Sequence, residues 1–150
     1  MNDHQYEKKL KLIKAVFRDV LEISFLARCS FLQASLNPKT GTVLTSLDIE
    51  TSLFNENADV LHLPPVTLHD DFILLEKFIR ANSKKISLTV IFNEDPFASA
   101  YVQLFQLGLL RDFKVEREKF YFSFFDHWAK QHRSEIQKIK FGAHVNLDAI

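Results

Sequence analysis

The sequence predicts an α/β or α+β fold, with a single sheet of four to five strands, partly parallel, packed by helices and preceded by a long amphipathic helix. Three observations lead there. Apolar residues at three- and four-residue steps open the chain, and short β-branched runs occupy its middle. Segments of helical period separate those runs, which calls for crossover connections and hence for some parallel pairing. A length of 150 residues suits one domain spanning 1–150, able to hide roughly 70% of its unfolded surface. Within it the patterning delimits an N-terminal helical segment at 1–36, a sheet core at 42–125 and a C-terminal helix at 126–142.

The opening helix rests on Leu10, Ile13, Phe17, Val20, Leu21 and Phe25, with Lys9, Lys11, Lys14, Arg18 and Glu22 between them. Its stripe widens to take in Leu26, Cys29, Phe31 and Leu32, and Asn37-Pro38-Lys39-Thr40-Gly41 ends it with turn formers. Residues 42–54 read as a strand, with Val43, Thr45, Leu47 and Ile49 in partial alternation. A shorter strand, 58–63, stops at Pro64-Pro65. Residues 70–82 form a helix with acidic groups in its first turn and Lys77 and Arg80 towards its end. The run 86–92 reads as a central strand. Asp95 and Pro96 then sign the start of a helix whose stripe passes through Phe97, Tyr101, Leu104 and Phe105, and Gly108 takes the C′ position. Phe113 and Val115 alternate towards Phe120, Phe122 and Phe124 across Arg117-Glu118, the pattern of a hairpin or final strand. Asp126 caps the last helix.

Lysine plus arginine and aspartate plus glutamate both number 19, so the basic excess expected of a nucleic-acid binder is absent. No apolar run reaches membrane-spanning length and no apolar leader opens the chain. Cys29 is the single cysteine, which leaves no internal disulfide and fits a cytoplasmic setting. The three glycines are isolated, so no phosphate-cradling loop exists. His127 and His132 are five residues apart, the wrong spacing for a two-histidine clamp on one helical face. No cofactor or metal is expected.

Between Asp59 and Val115 the order of elements resembles the STAS domain family, the anti-sigma-factor-antagonist fold. The residues that carry the likeness are Asp59-Val60-Leu61-His62-Leu63, then Val66-Thr67-Leu68-His69-Asp70 running into a helix, then Ile86 to Phe92, then the Pro96 helix ending Leu107-Gly108-Leu109. The resemblance implies a regulatory module acting through protein contacts. At the family's phosphorylated Ser or Thr this chain has Asp71, and at its following Gly it has Ile73. A fixed carboxylate at 71 would resemble the phosphorylated state. The same stretch is similar in order to small sulfur-carrier proteins, whose essential cysteine is missing beside Pro64-Pro65.

Two acidic clusters form the candidate ligand or partner site. His69, Asp70 and Asp71 stand at a loop-to-helix junction, where acid-base chemistry or capping are both served. Glu94 and Asp95 follow the expected central strand, at the edge where open parallel sheets place ligands. Tyr101, Tyr121 and Phe125 fall on faces that the alternation leaves outside the core, and so form a candidate interaction surface. The expectation is therefore a non-catalytic regulatory or adaptor module whose partner is another protein, without nucleic acid or membrane, and a homodimer through the N-terminal helix is one arrangement this allows. The alternative is a small enzyme or ligand-binding domain built on the acidic edge.

Overall fold

Tyr6, Lys9, Ile13, Phe17, Val20, Leu21, Ser24 and Phe25 follow the helical period along one face and are all buried, so the first helix, α1 (Asp3–Ala27), lays one continuous stripe against the core. The computed structural model describes residues 3–27, 31–46, 60–82, 84, 96–142 and 145–149. After α1 come the strands β1 (Phe31–Leu36), β2 (Val43–Ser46), β3 (Leu61–His62) and β4 (Val66–Thr67). The helices α2 (Leu68–Ala81), α3 (Pro96–Gln106), α4 (Leu110–Gln131) and α5 (Arg133–Gln137) and a 3-10 turn at Leu147–Ala149 complete the chain. It divides into two units, Met1–Thr67 with Tyr121–Ile150, and Leu68–Phe120.

The first unit holds the sheet, and every pairing among the described strands is antiparallel. β1 pairs with β2 on one side and with β3 and β4 on the other. This corrects the partly parallel expectation. A hairpin joins β1 to β2, and α2 to α5 all follow β4, so no helix crosses over between described strands. The expected strand at 86–92 and the part of the 42–54 strand beyond Ser46 lie outside the described residues. Residues 31–36, expected to be helical, form β1 because Leu32, Ala34 and Leu36 alternate to one buried face.

Pro64-Pro65 interrupts the ladder without ending it. Ser35 and Leu36 register with His62 and Leu61, whereas Phe31 and Leu32 register with Thr67 and Val66. Three residues, 63–65, thus stand opposite two, Gln33 and Ala34, which is a bulge accommodating residues that have no N–H. Leu63 N–H still donates to Ala34 O at 2.9 Å, and Gln33 Nε2 donates to Leu63 O at 2.8 Å.

In the β1–β2 turn Asn37 organises the backbone: its carbonyl accepts from Gly41 N–H at 2.8 Å and its side chain from Lys39 N–H at 2.9 Å. Gly41 has φ 73°, and the Phe141 ring lies where its Cβ would be. The C-terminal segment docks on this turn, with Lys140 N–H donating to Pro38 O and Gly142 N–H to Thr40 O.

The alternation at 113–124 is not a hairpin: these residues belong to α4, a helix of 22 residues. Phe113, Arg117, Tyr121, Phe125, Trp128 and Ala129 are its buried members, a four-residue period that a period-two reading of the same phenylalanines hides. Val115 and Phe124, which the strand pattern would bury with Phe113, are exposed. Arg117-Glu118 has no glycine, asparagine or aspartate to adopt the positive φ of a tight hairpin turn. Asp126 lies inside α4 and does not cap a new helix; the chain reaches α5 only after Gln131.

In the first unit Phe17 stacks on Phe125 at 5.3 Å and meets Phe122 edge-on at 5.7 Å, and Phe125 meets Trp128 at 5.4 Å. Two polar handles tie α4 to the β3–β4 segment. Trp128 Nε1 donates to His62 O at 2.8 Å, and Tyr121 OH to Thr67 O at 3.3 Å. The second unit is cored by Leu75, Ile79, Ala100, Leu104, Leu109 and Phe113, with Phe113 edge-on to Phe78 at 5.4 Å. The α3–α4 turn is a Schellman motif: Leu109 N–H donates to Leu104 O and Gly108 N–H to Phe105 O, with Gly108 at φ 71°. The C′ role expected for Gly108 is therefore observed.

Candidate functional site

His69, Asp70 and Asp71 occupy the first turn of α2, where carboxylates suit the unpaired amides and the helix dipole. They do not share one environment. His69 is exposed and Asp70 half-buried, whereas Asp71 is 4% exposed. Its Oδ1 accepts from Arg117 Nε at 2.9 Å and its Oδ2 from Arg117 Nη2 at 3.2 Å. Both members of this pair are buried, so the carboxylate that the sequence offered to a ligand is instead the internal partner of a guanidinium. Glu94 and Asp95, the other half of the acidic site, lie outside the described residues. Among the described residues no group of three or more His, Cys, Asp or Glu side chains is arranged to hold a metal ion.

The expected aromatic surface is also corrected. Tyr121 and Phe125 are each 1% exposed, held in the first unit by Thr67, Phe17 and Trp128, because the helical period of α4 turns them inward. Tyr101 is half-buried and lies 6.0 Å from Phe113, ring to ring. The apolar stripe of α1, the element offered for a homodimer, is buried inside its own unit.

Two surfaces of the second unit take the place of those expectations. On α3 and the turn after it, Val102, Phe105 and Leu107 are exposed, with Phe105 at 73%. Val102 and Phe105 are three apart and share a helical face. Between α2 and α4 lies a groove of about 590 Å³ lined by Leu74, Lys77, Phe78, Ala81, Asn82, Glu116, Lys119 and Phe120. Lys119 Nζ stands 3.4 Å from Glu116 Oε1, and Asn82 Nδ2 donates to Phe78 O at 2.9 Å. Reading 113–124 as strands put Glu116, Lys119 and Phe120 on elements unrelated to α2, so the groove was invisible; a four-residue period through 113, 117 and 121 was the signal for it.

In the first unit an apolar cavity of about 320 Å³ lies among Leu12, Ile13, Val16, Leu36, Thr42, Val43, Phe141 and Val145. None of the described lining residues is charged. Lys9 is buried beside Gln137, donating to its carbonyl at 2.9 Å, and burial pushes its ammonium below the usual lysine range. No helix among the described residues is long and apolar enough to cross a membrane. Comparison with protein-family models, with curated proteins and with solved structures gives no match to this chain.

Proposed function

We propose that the protein is a non-catalytic adaptor that works by binding another protein, and that the exposed face of α3 is its docking surface. The observation that carries this is Phe105, a large apolar side chain left 73% exposed beside Val102 and Leu107. A single exposed apolar residue is ordinary, but three on one helix end and its turn mark a contact surface with an aromatic anchor. The STAS-like mechanism is not part of the proposal. It needs an accessible charge at position 71, and Asp71 is sequestered by Arg117; it also needs a strand after Leu109, where α4 begins.

The test is affinity capture from the source cells with the wild-type chain and with Phe105→Glu, followed by purification of each captured protein and a binding isotherm. A purified protein that binds wild type and binds Phe105→Glu at least tenfold more weakly supports the reading. Equal binding by both chains overturns it. Self-association of wild type that Phe105→Glu abolishes would make the partner a second copy.

A further inference from the structure

We infer that the α2–α4 groove is a binding site for an amphipathic organic carboxylate, a small molecule with an apolar body and one anionic end. Its volume, about 590 Å³, falls in the range of small-molecule sites. Its lining divides by chemistry. Leu74, Phe78, Ala81 and Phe120 offer an apolar floor, and Lys77 and Lys119 bring ammonium groups from the two facing helices. Among the described lining residues Glu116 is the one carboxylate, beside the two lysines. Lys77 is exposed and, among the described residues, paired with no carboxylate, while Lys119 has only the 3.4 Å contact with exposed Glu116. A ligand carboxylate would therefore meet two exposed ammonium donors without first displacing a buried partner. Removing the apolar body from water against two phenylalanine rings supplies the affinity, and the lysines select the charge. The described lining shares no residue with the surface proposed to dock a protein, so neither reading depends on the other.

Decanoate, kept below its micelle concentration, is the probe, with decan-1-ol as its uncharged counterpart. Amide chemical shifts of the isotope-labelled whole chain are followed during titration. Saturable shifts at 74–82 and 116–120 are expected, with decan-1-ol binding at least tenfold more weakly. Lys77→Gln with Lys119→Gln should lower decanoate affinity about tenfold and leave decan-1-ol unchanged, a pattern that general destabilisation would not give. Phe120→Ala should weaken both. Absence of saturable shifts, shifts that map elsewhere, or equal binding of decanoate by the double lysine variant would each overturn the inference.

Discussion

Asp71 and Arg117, 46 residues apart, close α2 onto α4 through two parallel hydrogen bonds, Nε to Oδ1 at 2.9 Å and Nη2 to Oδ2 at 3.2 Å. The side chains retain 6% and 5% of their exposure. Two charges taken from water at this depth are tolerated because the planar guanidinium satisfies both carboxylate oxygens at once. Removing one of them leaves the other buried and unmatched. Asp71→Asn should therefore destabilise by about 3–5 kcal/mol, where simple loss of a capping charge would cost only about 0.3–1 kcal/mol. Asp71→Leu combined with Arg117→Met should recover most of that loss. Urea denaturation of wild type and the two variants decides it, and a cost of Asp71→Asn below about 1 kcal/mol would be the cap's signature.

Glu118→Pro discriminates between the helix and the hairpin at the same place. Inside α4 a proline removes a backbone donor and clashes with the preceding turn, at a cost of about 3 kcal/mol or more. In a turn between two strands it would be tolerated. Thermal unfolding of the variant reads this directly.

The two positive-φ glycines should differ in sensitivity. At Gly108 nothing lies within 4 Å of the position of an added Cβ, so Gly108→Ala carries only the left-handed backbone cost of about 1–2 kcal/mol. At Gly41 the Phe141 ring occupies that position as well, and Gly41→Ala should cost more. Adding Phe141→Ala should relieve part of the excess at Gly41, so the two substitutions will be less than additive. Strict additivity in a double-mutant cycle would remove Phe141 from the account.

Lys9 gives a pH dependence of known sign. Burial lowers its folded pKa beneath the unfolded value of about 10.4. Between those two values the unfolded chain holds the extra proton, so the Lys9 contribution to stability rises with pH across that window. Below the window the cost of burying the charge is fully present. Stability of wild type relative to Lys9→Met should therefore increase with pH across the alkaline window that ends at about 10.4, and a flat difference would contradict it.

What the sequence disclosed and what it hid have separate causes. The stripe of α1, the proline start of α3 and the left-handed Gly108 are local signals, each readable from a few neighbouring residues. The long middle of the chain is different. Val115, Phe120, Phe122 and Phe124 mimic a strand period because phenylalanine is abundant, and the partner that makes Arg117 a buried residue lies 46 positions away. Leu32, Ala34 and Leu36 continue the α1 stripe closely enough to conceal a strand. The first acidic cluster was found, but its most buried member was given to a ligand when Arg117 holds it. The groove could not be found until α4 was seen to be one helix, and the α3 face was hidden because Phe105, 73% exposed, reads as a member of the stripe that buries Leu104.

The working surface proposed is the apolar face of α3 rather than the acidic start of α2. The most direct measurement is the affinity of a purified captured partner for three chains: wild type, Phe105→Glu and Asp70→Asn. Phe105→Glu should lose at least about tenfold, and Asp70→Asn should stay within about twofold of wild type. Full affinity in Phe105→Glu together with loss in Asp70→Asn would return function to the acidic cluster and contradict the account.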